Sequence, residues 1–460
     1  MTLLNTKKER HLMPYCTIDK DFTPLADIFE SFEKRVEASK QKEPFIIALK
    51  GNRNRCYKIE TNVLPESPLN DPLNAYYVER LLKTLLWAVG GFEVTLYGPN
   101  KLIHLLQNTF KCGGSRAFDA SFMARVYEKP FMIKKASTLD EIPQENYTPY
   151  PVDGSLDGAR IGFDAGGSDR KVAAVLEGEV VYSEEVVWHP KLQTDIRYHK
   201  KHIQEAIETA AKHLPHIDKI GVSTAGIVID NEVRVASLFV KVPEEDFNMY
   251  AKSIYTDIAT SYNVPITVSN DGDIAAFAGA MALKRNRLLG VAMGTSEAAG
   301  YIDENGLVSG QLNELAFVPI DANPKALRDE WSGDIGCGVK YHSQDGINKL
   351  AMMAGIEFFD NTSPAEKLKH VQSLLEDKDP RAEAVFKDAG IYFGHSLRYY
   401  AKFYAIDVVL LMGRVASGRG GLIIVEEAKH ILDTYKLSID IQLPDEKTRR
   451  VGQAVAAAMQ

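Results

Sequence analysis

The chain has 460 residues, of which 45% are hydrophobic and 25% are charged, and its formal net charge is −8. This length predicts two or three domains, and the composition is typical of a globular protein rather than a disordered or fibrous one. The acidic balance argues against a nucleic-acid-binding surface, and no apolar run approaches the roughly 20 residues that span a bilayer.

The cysteines and the first residues indicate the compartment. The four cysteines are scattered, without the C-x-x-C spacing of redox or zinc motifs. The first ten residues have no apolar segment after their charges, so no signal peptide is expected. We therefore expect a cytoplasmic protein with reduced thiols and with no membrane or nucleic-acid partner.

Residues 1–150 are predicted to form a separate N-terminal α/β domain. Its first 30 residues are polar and predict little order, and 136–158 is rich in Pro, Asp, Gly and Ser, as linkers are. The apolar patterns predict a hairpin over 44–63, a helix near 75–89, a strand over 92–97 and a helix near 101–110. No motif assigns this domain a role. Three possibilities stay open for this domain: it covers a cleft, it mediates dimerisation of the chain, or it is a decayed copy of a later lobe.

Two similar halves follow, over residues 158–286 and 287–460. The first half predicts strands over 160–176, 179–187, 219–229, 232–237 and 265–269, and helices around 203–214, 247–261 and 274–284. The second predicts strands over 288–293, 299–303 and 408–412, and helices near 382–404 and 421–434. This repetition indicates two α/β lobes around a cleft, the usual place for a small ligand.

The most informative motif lies at the start of the first half. An apolar strand runs into Asp164, Gly166-Gly167-Ser168 follow, and a second apolar strand leaves from Lys171. Glycines allow a tight turn whose backbone N–H groups can hold a phosphate, and a carboxylate at the strand end can orient a cation through water. An ordinary hairpin is the alternative interpretation.

Two further glycine turns follow apolar strands in the second half. Gly294-Thr295 can hold phosphates through backbone N–H groups and a hydroxyl, although a simple strand turn has the same sequence. Gly413 and Gly418 flank a loop between a strand and a helix, where the backbone can approach a base and ribose. A capped strand–helix connection is the alternative for that loop.

Asn270 and Asp271 end an apolar strand of the first half. A carboxylate there can accept the proton of a hydroxyl that attacks a phosphoryl group. Asp273, two residues on, can serve chemistry or simply cap the helix that follows.

The order of these four motifs resembles the superfamily of sugar kinases, actin and chaperone ATPases, and within it the ROK family of sugar kinases and repressors. The stretches around Ser223-Thr-Ala-Gly226, Val235-Ala-Ser237 and Asn313-Glu314-Leu-Ala-Phe317 are similar to segments of that family's sugar site. The resemblance covers roughly residues 158–460. It implies an α/β, bilobal, actin-like (ribonuclease H-like) ATPase fold with the N-terminal domain added.

The resemblance also implies roles for individual residues. Asp271 would be the general base, and Ser237, Asn270 and Glu314 would contact sugar hydroxyls. Asp164 would hold Mg²⁺ through water. The nucleotide would be bound by Gly166, Gly167, Ser168, Lys171, Gly294, Thr295, Gly413 and Gly418. The expected ligands are therefore ATP, Mg²⁺ and a small sugar.

Several positions depart from the family pattern. Asp169 replaces a basic or small residue, and Lys171 is placed as in actin-like members. Phe317 stands where the family has a zinc-binding His, and only Cys337 remains of a cysteine cluster, so we expect no zinc. Glu297 follows the second phosphate turn, where a carboxylate ~4 Å from a γ-phosphate would cost about 4 kcal/mol. We expect it to point away; the alternatives are that it binds Mg²⁺ or that the site receives no ATP.

The sequence therefore predicts an ATP-dependent carbohydrate kinase acting on a hexose or amino sugar. A catalytically inactive sugar- or nucleotide-binding regulator of the same fold is the main alternative. An ATPase related to actin is a third interpretation, suggested by Lys171. The N-terminal domain has no basic recognition helix, which disfavours a DNA-binding repressor, and a homodimer stays open.

Overall fold

The computed structural model of the protein describes residues 15–147, 149, 154–444 and 452–460. They form an N-terminal domain and two lobes, each built on its own β-sheet. No helix within these ranges is both long and apolar enough to cross a bilayer.

The N-terminal domain carries a four-stranded sheet of order β2-β1-β3-β4. Its strands are β1 (Glu43–Lys50), β2 (Cys56–Val63), β3 (Glu93–Tyr97) and β4 (Met132–Lys135). Its helices are α1 (Leu25–Ala38), α2 (Asp71–Ala88), α3 (Asn100–Phe110) and α4 (Ala117–Tyr127). The structure contains the predicted hairpin and the three elements after it, whereas α1, α4 and β4 were not predicted.

The sheet of this domain is not a copy of a lobe. Strand β1 pairs antiparallel with both of its neighbours, β2 and β3. In the first lobe the equivalent central strand has one antiparallel and one parallel neighbour. The N-terminal sheet therefore does not repeat the strand pairing of the first lobe, and nothing in its topology supports descent from a decayed copy.

The first lobe contains a five-stranded sheet of order β11-β8-β5-β6-β7. Its strands are β5 (Ala159–Ala165), β6 (Asp169–Leu176), β7 (Glu179–Val187), β8 (Lys219–Thr224) and β11 (Ile266–Asn270), with a ribbon of β9 (Ile227–Ile229) and β10 (Glu232–Val235). Its helices are α5 (Ile196–Ala211), α6 (Ile254–Tyr262) and α7 (Asp271–Leu283). The helix predicted near 247–261 starts as a π-helical turn, Phe247–Ala251, before α6.

The second lobe contains a four-stranded sheet of order β13-β12-β14-β15. Its strands are β12 (Leu288–Met293), β13 (Glu297–Ile302), β14 (Val408–Met412) and β15 (Asp440–Gln442). Its helices are α8 (Gln344–Met353), α9 (Pro364–Glu376), α10 (Pro380–Tyr400) and α11 (Gly418–Thr434). Helices α8 and α9 were not predicted, although Ser363 and Glu366 form a capping box that the sequence shows.

The end of the chain corrects the assignment of residues 287–460 to the second lobe. The last helix, α12 (Gln453–Ala458), packs against β5, β6 and β8 of the first lobe. Glycines make this approach possible, since a Cβ on Gly162 would lie 1.7 Å from the Ala454 carbonyl oxygen and one on Gly221 1.8 Å from that of Ala457. An alanine-rich segment gave no signal of which lobe it would join.

The N-terminal domain is fixed mainly to the second lobe. Asp388 on α10 accepts hydrogen bonds from the backbone N–H groups of residues 17–19, at 2.8 to 3.0 Å. The buried Arg398 pairs with Asp27 at 2.8 Å and with Glu30 at 2.7 Å. Buried ion pairs with several partners hold geometry, because removing one partner leaves an uncompensated charge.

Contacts with the first lobe are fewer and lie around the β9–β10 ribbon. Glu128 after α4 pairs with Arg234 and Lys252. Arg53 pairs with Asp230 at 2.6 Å, with both side chains about 40% exposed. The domain thus spans the cleft, with a buried attachment on one side and an exposed one on the other.

Candidate functional site

The strand registers bring the motifs of each lobe to one edge of its sheet. In the first lobe Ala165, Thr224 and Asn270 are neighbours at the carboxyl ends of three parallel strands. In the second lobe Ala292 and Met412 are neighbours just before the two glycine turns. Ligands of open α/β sheets bind outside such strand ends.

Asp271 is the first residue of α7, directly after β11. Asn270 caps this helix: its Oδ1 accepts from Gly272 N–H at 2.7 Å, while its Nδ2 donates to the Gly226 carbonyl at 2.7 Å. Capping is therefore done by Asn270 rather than by Asp273. These bonds fix where α7 begins and hold Asp271 in the cleft.

The first glycine turn lies beside Asp164 at the end of β5. Asp164 is only 2% exposed and accepts a hydrogen bond from the Ser223 hydroxyl at 2.8 Å. Trp188 fastens the turn, because its indole N–H donates to the Gly166 carbonyl at 2.8 Å. Gly167 and Ser168 are exposed. Lys171 pairs with Asp169 at 3.2 Å, so part of its charge is already satisfied.

Lys191 was not predicted to belong to the site. It lies in the turn Pro190–Leu192, three residues after Trp188. Its Cε and Nζ would lie 3.1 Å from a Cβ on Gly167, and its charge lowers the pKa of Asp271 against the effect of burial. The amine thus lies beside the glycine turn and is near enough to Asp271 to act on its charge. A lone exposed lysine after a strand carries no local signal of this position.

The two glycine turns of the second lobe meet at the ends of β12 and β14. Gly413 has φ +95°, and a Cβ there would lie 2.2 Å from the Met293 carbonyl oxygen. That carbonyl also accepts from Val415 N–H at 3.1 Å, and the Gly294 carbonyl accepts from Gln344 N–H at 2.8 Å. Thr295, Gly413 and Gly418 are exposed, as ligand contacts require.

Four carboxyl groups lie close enough to interact electrostatically at the centre of the cleft. Burial raises the pKa of Asp164 and that of Asp271 to about 6, and the Asp164 charge adds to the shift of Asp271. Burial raises the pKa of Asp273 to about 7, although its hydrogen bond from Asn313 opposes the shift. Burial, with the charges of Asp271 and Asp273, raises the pKa of Glu314 to about 8. Perturbed carboxyl groups in a cleft are typical of functional sites.

A cavity that is partly open to solvent adjoins this cluster. Asn270, Asp273 and Glu314 line one side of it, and residues of the N-terminal domain line another. The loop that carries Glu314 is bonded to the end of α2: the N–H groups of residues 312, 313 and 314 donate to the carbonyls of 89, 88 and 87, each at 3.0 Å. The N-terminal domain therefore positions Glu314.

The model of the ROK family matches residues 160–453 of the sequence. The chain belongs to the ROK family. The structure is similar to the ROK hexokinase of Thermus thermophilus, with a TM-score of 0.52 and 18% identity, covering 65% of this chain and 97% of that one. It is also similar to a ROK family protein from Streptococcus pneumoniae in complex with sucrose, with a TM-score of 0.50 and 11% identity, covering 65% and 96%. None of the curated proteins matches the sequence.

These findings confirm the predicted fold, a bilobal actin-like ATPase with an added N-terminal domain. The similarity to these two structures covers 65% of the chain, and the family match begins at residue 160, so the N-terminal region lies outside the matched part.

In this ROK chain the region of the family's zinc site is occupied by contacts with the N-terminal domain. Phe317 packs on Trp87 of α2, with ring centroids 4.4 Å apart. Nearby, buried Lys83 bonds Asp119 at 2.9 Å and Asp334 at 3.2 Å. No group of three or more His, Cys, Asp or Glu side chains is placed to hold a metal ion within the described ranges.

Glu297 points away from the second phosphate turn, as expected. It is 4% exposed and bonds His342 Nδ1 at 3.0 Å within the second lobe. Ser237 is exposed and lies at the start of a 3₁₀ turn, outside the cavity lined by Asn270 and Glu314. The structure thus brings together the predicted acceptor residues except Ser237.

Proposed function

We propose that this ROK-family protein is an ATP- and Mg²⁺-dependent sugar kinase that phosphorylates a hydroxyl of a hexose or amino sugar. The observation that carries the proposal is the position of Asp271 at the end of β11. It lies at the sheet edge that carries the first glycine turn, and its neighbour Asn270 lines the cavity with Glu314. The hexokinase similarity and the family membership support it.

Asp271 would accept the proton of the attacking hydroxyl. A carboxyl pKa of about 6 leaves it mostly ionised at neutral pH and makes it a stronger base than an ordinary aspartate. Glu314 and Asn270 would orient the acceptor. Within the described chain no hydrogen bond occupies the Glu314 carboxyl group, which leaves it available to acceptor hydroxyls.

The nucleotide would be held by backbone and hydroxyl groups of the glycine turns: Gly166, Gly167, Ser168, Gly294, Thr295, Gly413 and Gly418. Lys171 and Lys191 would offset phosphate charge. Asp164 fits a water-mediated Mg²⁺, since it is a carboxylate at a strand end with one oxygen outside the Ser223 bond. When bound, Mg²⁺ would neutralise charge on the phosphates.

A catalytically inactive sugar- or nucleotide-binding regulator is the second candidate. The exposed position of Ser237 outside the cavity and the pairing of Lys171 with Asp169 favour it. An ATPase of the same fold is the third candidate, and the actin-like position of Lys171 in the sequence favours it.

Coupled ADP release over a panel of hexoses and amino sugars separates the three. A kinase releases ADP only with its sugar, an ATPase does so without any sugar, and a regulator does neither while calorimetry still detects a ligand. ADP release that no sugar stimulates would contradict the proposed function.

A further inference from the structure

The acceptor cavity has a wall that the two lobes do not supply. The N-terminal domain lines the same cavity as Asn270, Asp273 and Glu314. It contributes Leu49, Asn52, Arg55, Tyr57, Val89 and Tyr127. The bonds between residues 87–89 and 312–314 hold this wall in a fixed relation to Glu314. An acceptor beside Glu314 therefore contacts the N-terminal domain as well.

Two polar groups in this cavity lack partners in the protein. Within the described residues no hydrogen bond of the Tyr57 hydroxyl is found, and burial, with the Glu145 charge, raises its pKa to about 12, so it stays neutral. The Oε1 atom of Gln311 is buried and also has no hydrogen-bond partner. Buried polar groups in native proteins are nearly always satisfied, so the buried and partnerless Gln311 oxygen indicates a ligand. The hydroxyl of the half-buried Tyr57 adds a hydrogen-bonding group to the same cavity.

We propose that Tyr57 and Gln311 bind hydroxyls of the acceptor, which makes the N-terminal domain a specificity-determining part of the acceptor site. This inference rests on the proposed sugar-kinase function. A hydroxyl both donates and accepts, so one sugar ring can accept from the tyrosine O–H and donate to the amide oxygen. Tyr57 comes from β2, more than 250 residues before Glu314, and belongs to the region outside the family match.

The charges of the cavity define the acceptor further. Asp273, Glu314 and Glu145 line it, against one guanidinium, that of Arg55. Because burial raises the pKa of Asp273 to about 7 and that of Glu314 to about 8, both carboxyl groups are protonated in a large fraction of molecules at neutral pH and can donate as well as accept hydrogen bonds. Such a lining suits the hydroxyls of a sugar.

Calorimetry on the full chain without ATP tests the inference independently of catalysis. The probes are glucose, mannose, N-acetylglucosamine and the monodeoxy analogues of glucose and mannose. The variant is Tyr57→Phe, which removes one hydroxyl and no intramolecular hydrogen bond. Tyr76→Phe is the matched control, because burial also raises its pKa to about 12 and it lines a separate cavity beside α1.

We expect Tyr57→Phe to weaken the best sugar about 2- to 10-fold, as loss of one hydrogen bond does, and Tyr76→Phe to leave affinity unchanged. For wild type, one deoxy analogue should bind more weakly than its parent sugar by a similar factor. For Tyr57→Phe, the same analogue and its parent sugar should bind equally well, because the hydrogen bond to the Tyr57 hydroxyl is already lost.

Unchanged affinity of Tyr57→Phe for every probe, or equal deoxy effects in variant and wild type, would overturn the inference. The inference would also be overturned if none of the probes bound wild type at millimolar concentration. Sugar binding with these effects but without ADP release would retain the inference and reject only the kinase step.

Discussion

At the nucleotide end of the cleft the protein offers mainly glycine turns, whereas at the acceptor end it offers side chains from both lobes and from a third domain. The turns at Gly166, Gly294 and Gly413 follow central strands, and under the proposed function their backbones would hold the nucleotide. The acceptor cavity instead depends on Glu314, whose loop is bonded to α2. This contrast suggests that the nucleotide end serves the general chemistry and that the acceptor end carries what is particular to this chain.

Asp271, where the nucleotide end and the acceptor end meet, should be the position at which a substitution lowers activity most. Asp271→Asn removes the proposed base while keeping size and the cap by Asn270. We expect kcat to fall about 10²- to 10⁴-fold with sugar affinity little changed, because general base catalysis contributes that much. Asp273→Asn is the comparison, since Asp273 bonds Asn313 at 3.0 Å and should affect acceptor binding more than kcat. A smaller loss of kcat in Asp271→Asn than in Asp273→Asn would contradict these roles.

The nucleotide end is tested by Gly413→Ala. A side chain at φ +95° is strained by about 1–3 kcal/mol, and its Cβ would also meet the Met293 carbonyl at 2.2 Å. We expect at least a tenfold loss of ATP affinity and a lower Tm. Gly178→Ala is the control, since Gly178 has φ +83° and nothing within 4 Å. The Gly178→Ala variant should lose stability through backbone strain alone and keep its ATP affinity. Equal ATP affinity in the two variants would contradict the claim that the close approach of Gly413 to Met293 shapes the nucleotide site.

Lys191→Met tests the residue that joins the two ends. Loss of the amine should lower kcat roughly tenfold, as a weakened electrostatic contact to the phosphates would. Because Lys191 lowers the pKa of Asp271, its removal should raise that pKa and move the acid limb of the kcat profile to higher pH. Lys200→Met on α5 should leave both unchanged. An unshifted acid limb in Lys191→Met would show that the amine does not act on Asp271.

The smallest effect concerns stability at the acceptor end. Asp273 and Glu314 have folded-state pKa values of about 7 and 8, above the ordinary values of 3.8 and 4.5. The folded state therefore binds more protons than the unfolded state between these limits, and stability falls as pH rises from about 4 to 8. Urea unfolding should show a flatter pH dependence for Glu314→Gln, most clearly between pH 6 and 8. If the unfolding free energies of wild type and Glu314→Gln changed with pH in parallel, protonation of Glu314 would not be linked to folding.

The same contrast explains what the sequence could predict. Glycine turns after apolar strands are local patterns, so the turns around Gly166, Gly294 and Gly413 and the position of Asp271 were predictable. The register of parallel strands then brings them together without further information.

The acceptor wall could not be predicted, because it depends on contacts far apart in the chain. Nothing near Tyr57 or Val89 shows that this domain packs against the loop of Glu314. Lys191 lies at the glycine turn only because Trp188 fastens its segment there. Ser237 was assigned from the family pattern, and the structure places it outside the cavity.

Transfer of the terminal phosphoryl group is the most direct test of the account. Wild-type protein is incubated with Mg²⁺, γ-³²P-labelled ATP and each sugar of the panel, and the sugar fraction is counted beside that of Asp271→Asn. The account predicts label on a sugar with wild type and a loss of at least a hundredfold in the variant. Label released only as inorganic phosphate, or equal transfer by the variant, would contradict it.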